Sequence, residues 1–372
     1  MEICSSCLTP KSRPRIIFVN GVCNACINSE TKKTINWKKR KEEFLIKADE
    51  MKKYAKDNNN CYHCIVPWSG GKDSSSIALK LKKNFDLNPL LVTFSPLIQN
   101  ECGQHNRKIL LDEGFDSIMF SPNGNISRKL SKRFFTERGN PKVAWDAGVN
   151  SIPIKLALKH NIPYVIYAEH GESEYGGLTI DENSKKERNL REVIEHQIGD
   201  FPENWQSSDV SIDDLYPYIY PSEEELNKKN IKAFYFSYFF KWSMYENYEY
   251  IKANLKKFKT NPYGRTEGTF TNFDSLDDKI DDLYYYMQFI KFGFGRCVRD
   301  SSRLIQSGHL SRQDAEIHVK QFDGELPKRF NNDVLDFLEM NELSLNKIID
   351  KHRNSEIWEF KDNLWKLKFN FY

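Results

Sequence analysis

No run of about 18 consecutive apolar residues occurs in the 372-residue sequence, so no membrane-spanning helix is expected. The opening stretch MEICSSCLTPKSR lacks the charged-then-apolar layout of a secretory leader, and a cytoplasmic location is the expectation. A charge surplus is missing too. The 55 basic residues face 52 acidic ones for a net +3, which gives no footprint of a dedicated nucleic-acid binder. The one locally basic run, TKKTINWKKRKEEF, reads as a solvated helix face or linker. No internal repeat is visible. With 39% hydrophobic residues the chain is long enough for two or three domains with a proper core.

Cysteines are few but patterned. Six of the eight fall in C-x-x-C pairs, which a disulfide framework does not require. Cys4-x-x-Cys7 and Cys23-x-x-Cys26 are spaced like a zinc ribbon, with Gly21 suited to the tight knuckle before the second pair. Four thiolates satisfy tetrahedral Zn²⁺ completely, so the site is expected to be structural. Cys61 and Cys64 allow a second metal or redox site. The preferred reading makes Cys64 a small buried strand residue and Cys61 incidental.

Along the chain, residues 1–35 form the expected ribbon and 36–60 a linker helix, with apolar positions at Trp37, Phe44, Leu45, Ala48, Met51 and Tyr54. From 61 the pattern alternates. CIVPW, PLLVTF, SIM and IPYVIYAE read as strands; 74–84, 103–114 and 147–160 read as helices. This predicts a doubly wound parallel α/β sheet over 61–215. Ligands in such sheets sit beyond the carboxyl ends of strands, which singles out 69–75, 95–102 and 169–177. The aromatic-rich remainder, 216–372, reads as helical at 223–258, 275–291, 311–321, 333–340 and 344–352. It is taken as a region that packs on the sheet and meets substrate or partner.

The stretch CIVPWSGGKDSS, 64–75, carries the chemistry. A Walker A loop fails here, because Val66 stands at the first glycine and Asp73 follows the lysine. What is present is Ser69-Gly70-Gly71-Lys72-Asp73-Ser74-Ser75 between a strand and a helix. Two glycines let backbone N–H groups approach an anion, the helix start adds positive potential, and the serines add donors. Asp73 can hold Mg²⁺ or cap the helix.

This loop resembles the S-G-G-x-D-S signature of the PP-loop ATP pyrophosphatases, which cleave ATP between the α- and β-phosphates. The rest of the chain resembles one branch, the N-acetyl sugar amidotransferases acting on pseudaminic, legionaminic or surface-polysaccharide (O-antigen) sugars. The resemblance rests on the four-cysteine ribbon, the loop, AEHGESEYGG (168–177), EGTFTNFDSLDDKIDDLYYYMQFIKFGFGR (267–296), GHLSRQDAEIHVKQFDGELP, IIDKHRNSEIW and WKLK. It implies an α/β fold of the adenine nucleotide alpha hydrolase type. It also implies ATP and Mg²⁺ as cofactors and adenylation of an acetamido oxygen. Ammonia from a separate glutaminase subunit then displaces AMP to leave an acetamidino group. Ser69, Gly70, Gly71, Asp73, Ser74 and Ser75 would take the β,γ-phosphates, with Lys72 adding charge; backbone near Trp68 and Phe94 would border adenine. Glu172, Glu174 and Tyr175, after a strand, would orient substrate, Mg²⁺ or ammonia, or else belong to a capped, solvated loop. Arg265, Glu267, Lys291, Arg296 and Asp300 carry the C-terminal resemblance. A cation among them would lie near the adenylate or face a sugar carboxylate, or else make a structural ion pair.

Two other readings stand beside this one. A tRNA thiolase also combines a ribbon with a PP-loop, but it usually needs further paired cysteines after the loop, where only Cys102 and Cys297 occur. A nucleotide sensor with a docking ribbon needs no intact loop aspartate. No glutaminase is visible in the chain: residue 2 is Glu2, and Cys102 has no G-x-C-x-G elbow.

Overall fold

A computed structural model describes residues 2–178 and 182–369. Its centre is a five-stranded, wholly parallel sheet. Near the N-terminus a two-residue hairpin, β1 (Phe18–Val19) and β2 (Val22–Cys23), leads into α1 (Asn24–Thr31) and then α2 (Trp37–Asp57). The sheet strands are β3 (Cys64–Pro67), β4 (Pro89–Phe94), β5 (Ser117–Phe120), β6 (Tyr164–Tyr167) and β7 (Lys232–Tyr235), in the spatial order β5-β4-β3-β6-β7. Connecting helices are α3 (Lys72–Phe85), α4 (Glu101–Asp112), α5 (Gly124–Arg138) and α6 (Val143–His160).

Alternation along the strands sorts the core into two layers. Ile65, Val165, Tyr167, Ala233 and Tyr235 point into one cluster with Leu130 and Phe134 of α5 and Ala147 and Ile154 of α6. Cys64, Val66, Tyr164, Ile166 and Phe234 point into the other, with Ile77 and Leu81 of α3. Phe44, Ala48 and Met51 of α2 complete that second layer. The helix read as a linker therefore covers the sheet.

The segment 223–258, expected to be helical throughout, is corrected. It divides into a short helix (Glu223–Lys228), strand β7, a single turn at Phe236–Phe239 and α8 (Met244–Asn254). KAFY is buried almost throughout and pairs with β6 from Tyr164↔Lys232 to Tyr167↔Tyr235, so tertiary pairing overrides its ambiguous local pattern. The sheet thus closes beyond residue 215. The C-terminal part holds α9 (Asp281–Phe292), α10 (Arg296–Gln306), α11 (Arg312–Phe322), α12 (Asn331–Leu338) and α13 (Glu342–Lys351). A final hairpin follows, β8 (Trp358–Lys361) with β9 (Leu364–Leu367). Helices α5 and α10 and this hairpin go beyond the sequence expectation. No helix among the described residues is long and apolar enough to cross a membrane.

Candidate functional site

The strand order reverses between β3 and β6, the point at which ligands of such sheets bind, beyond the carboxyl ends of the strands. The loop 69–71 leaves β3 at this point, and Glu169 and the short helix α7 (Gly171–Tyr175) leave β6. Gly70 sits at φ +93°, and a Cβ there would lie 2.6 Å from Arg107 Cγ. Gly71, by contrast, is extended (φ −73°, ψ 167°) and serves as N-cap of α3. Gly70 is therefore the position that cannot carry a side chain. Arg107 locks the loop from α4, its NH1 donating to the Ser69 carbonyl at 3.0 Å.

Trp68 is buried, with Nε1 donating to Ser75 Oγ at 2.8 Å, its N–H to the Val92 carbonyl, and its carbonyl accepting from Thr93 Oγ1. Phe94 is core, packed on Phe120 and Tyr218. Ser69, Asp73 and Ser74 remain partly exposed at the loop. Asp73, in the first turn of α3, accepts from Asn247 Nδ2 at 3.0 Å and faces Lys72 Nζ at 2.6 Å.

Lys72 is 1% exposed and shares its ammonium with a residue from far along the chain, Asp274 Oδ1 at 2.8 Å. The other oxygen of Asp274 takes Arg299 NH2 at 2.7 Å, with Arg296 NH2 at 3.9 Å. Although burial alone would raise it, Lys72, Arg299 and Arg296 hold the Asp274 carboxyl well below the usual carboxylate range. Arg296, also 1% exposed, makes no hydrogen bond through its guanidinium; it stands over Tyr285 at 4.5 Å and 3.7 Å from Asp300. Asp300 is fixed by Thr269 and Thr271 hydroxyls. Arg296 and Asp300 thus join the loop through Asp274.

The remaining C-terminal candidates are engaged otherwise. Arg265 forms a bidentate pair with Glu325 at 2.7 and 2.8 Å, and Glu267 accepts from the backbone N–H groups of Lys328 and Arg329. Lys291 donates to the carbonyl of Arg138 at the end of α5. These contacts hold C-terminal segments to one another or to α5.

On the β6 side, Glu172 bonds Arg15 at 3.2 Å and buried Glu174 pairs with Lys32, both partners coming from the N-terminal module. Tyr175 donates its hydroxyl to Glu169 at 2.8 Å, receives Trp242 Nε1 at 3.2 Å, and lies under the Arg303 guanidinium. Partial burial and the neighbouring Asp73 charge push Glu169 up to about 7. Sequence reading singled out 169–177 without giving Glu169 a role, and it passed over Asp274, Arg299 and Arg303. One signal for the arginines was available: 296, 299 and 303 recur at helical spacing on one face of α10.

A raised carboxyl pKa destabilises the fold as pH rises. The folded state keeps a proton between about pH 4.5 and 7 that the unfolded chain releases. Glu169→Gln is accordingly expected to raise Tm by roughly 2–6 °C at pH 8 and to leave it unchanged near pH 4. A pH-independent difference between the two proteins would show that Glu169 does not titrate in this way.

Residues 267–370, which supply Asp274 and the arginines, match the family described as LPS biosynthesis protein WbpG-like, C-terminal domain. The last third of the chain is therefore similar to a domain of LPS-biosynthesis proteins. A segment of 91 residues is 36% identical to an uncharacterized protein of Methanocaldococcus jannaschii, covering 24% of this chain. The chain spans 31% of that relative's own length.

The four N-terminal cysteines are all buried, and their Sγ atoms lie within 4.8 Å of one another. Cys4–Cys26 and Cys7–Cys23 are 3.9 and 3.7 Å apart, close to the tetrahedral edge of ~3.8 Å that a Zn–S bond of about 2.3 Å dictates. The N–H groups of Cys7, Cys23 and Thr9 point at sulfur, as thiolates favour, and Gly21 turns at φ +77°. The set fits one zinc ion. Of the other thiols, Cys64 is buried in β3 and Cys61 is exposed. Cys102 bonds the Lys259 and Thr260 carbonyls, and burial pushes it up to about 11, which suits no nucleophile.

Proposed function

We propose that the protein is an ATP-dependent amidotransferase that converts an acetamido group of a surface-polysaccharide or nonulosonic acid sugar to acetamidino, releasing AMP and pyrophosphate. One observation carries the reading. The segment similar to LPS-biosynthesis proteins reaches over the sheet and binds Lys72 of the glycine loop through Asp274. An anion-binding loop and a sugar-biosynthesis domain thereby share one charged cluster.

An amide carbon is a poor electrophile, and adenylation of its oxygen supplies a leaving group. The loop N–H groups and the Ser69 and Ser74 hydroxyls are suited to a departing pyrophosphate. Lys72, Arg299 and Arg296 bring positive charge to the same end of α3. Asp73 and Glu169 are the carboxylates that would hold Mg²⁺ on the triphosphate. The ribbon would hold structural Zn²⁺. Glu172, Glu174 and Tyr175 border the acceptor side. Ammonia would come from a glutaminase partner in the cytoplasm, since Cys102 is unsuited to that task.

The test is incubation with ATP, ammonium at alkaline pH and an acetamido sugar. AMP and pyrophosphate should form in equal amounts, with a sugar product lighter by the difference between O and NH. Gly70→Ala and Asp73→Asn should each abolish turnover. ADP with phosphate as coupled products, or modification of tRNA instead, would overturn the assignment.

A further inference from the structure

A cavity of about 480 Å³ opens where four distant parts of the chain meet: α1 with the turn and first residue of α2 after it, α7, the segment 241–244, and the end of α10 with the turn that follows. Its size suits a monosaccharide with an attached group. Two indoles, Trp37 and Trp242, line it, and flat aromatic faces suit the C–H faces of a sugar ring. Its charges are unequal. The acids Glu30 and Glu174 are already matched by Lys33 and Lys32. That leaves Lys241, no nearer than 4.0 Å to Glu246, and Arg303, which has no ion pair among the described residues. Both line the cavity.

The cavity also connects to the glycine loop. Tyr175 lines it with its ring while its hydroxyl binds Glu169, the carboxylate that feels the charge of Asp73. Arg303 lies one helical turn beyond Arg299, which binds Asp274. One face of α10 thus runs from the loop to the cavity.

We propose that this cavity is the acceptor site, and that the acceptor is an acetamido sugar carrying an anionic group, held by Lys241 and Arg303 with its ring against Trp37 and Trp242. The proposal rests on the amidotransferase reading above and narrows it to a substrate class. The anion can be a carboxylate on the sugar or a diphosphate linking it to a nucleoside; the chemistry of recognition is shared.

Calorimetric titration of the full chain with three probes separates these sources: N-acetylneuraminic acid (carboxylate), UDP-N-acetylglucosamine (diphosphate) and N-acetylglucosamine (neither). At least one anionic probe should bind roughly tenfold or more tighter than the neutral sugar. Lys241→Glu, at an exposed position, should remove most of that advantage, and Trp37→Ala should weaken all sugars that bind. ATP binding should survive both changes. Equal affinity for charged and neutral sugars, no binding of either anionic probe, or indifference to Lys241→Glu overturns the proposal. If AMP and pyrophosphate form while both variants bind sugar normally, the cavity assignment falls and the amidotransferase reading stands. If an anionic sugar binds through Lys241 but no probe yields AMP, the cavity stands and the reading falls.

Discussion

Asp274→Ala is expected to lower the unfolding free energy by about 3–5 kcal/mol and to eliminate turnover. The carboxylate neutralises three cations at once: Lys72 and Arg296, each 1% exposed, and Arg299. Asp73 and Asp300 would remain, one for the lysine and one between the two arginines. A buried positive surplus would result, and removal of one partner from such a cluster costs far more than the pair contributes net. Asp274→Asn keeps the shape and two polar atoms, so its loss should be intermediate. Urea unfolding with an unchanged m-value is the measurement. The pH dependence adds a second check. Because the folded carboxyl is held well below its ordinary value, its contribution is present above about pH 3.8 and lost only as pH falls through the lower folded value. The gap between native protein and Asp274→Asn should therefore persist at pH 4. Variants within 1 kcal/mol of native would refute the idea that this cluster ties the C-terminal segment to the loop.

Purified protein should carry about one Zn²⁺ per chain, and Cys4→Ser should lose it. Structural zinc in small cysteine sites contributes on the order of 10–16 kcal/mol of binding energy, which is folding energy for a module this small. Among the described residues, the regular structure around the N-terminal cysteines amounts to a bridge between Ile3 and Pro10, a hairpin of two two-residue strands and an eight-residue helix. Hydrogen exchange should show Cys4–Thr31 losing protection while the amides of β3, β4 and β6 keep theirs. Well-folded protein free of metal, or loaded with iron, would end this assignment. The module also supplies Ser29, Lys32 and Lys33 to the cavity wall, so metal loss should weaken acetamido sugar binding with ATP binding intact.

The doubly wound sheet was legible because CIVPW and PLLVTF are short apolar runs with clear boundaries, and the glycine loop follows one of them directly. The cysteine cluster was legible from spacing alone. Strand β7 was not. KAFY lies among aromatic residues that suit helix or strand, and only pairing with Tyr164–Tyr167 decides. Helix α5 was missed because its apolar stripe is thin, Ile126, Leu130 and Phe134 in a strongly polar stretch. In the site, Asp274 was invisible for a different reason: its meaning depends on Lys72, 202 residues away, and no local pattern encodes that. Glu169 lay inside the singled-out segment 169–177 at the carboxyl edge of β6, but the acids given a role there were Glu172 and Glu174.

Arg312 reaches back from α11 to the carbonyls of Cys4 and Cys7, a sequence separation of 308 for the first, and Thr9 meets the hydroxyl of Ser302. The cysteine module is thus fastened to helices about 300 residues further along the chain. During synthesis the cysteines can gather a metal early, but their seat does not exist until residue 312 has left the ribosome. The cavity shares that schedule, because α1 and α10 both line it and meet there, Ser29 Oγ donating to the Gln306 carbonyl at 2.6 Å. If the cavity is the acceptor site, acceptor binding would arise only after α10 has been made, and a nascent chain with a finished sheet and glycine loop would still lack it.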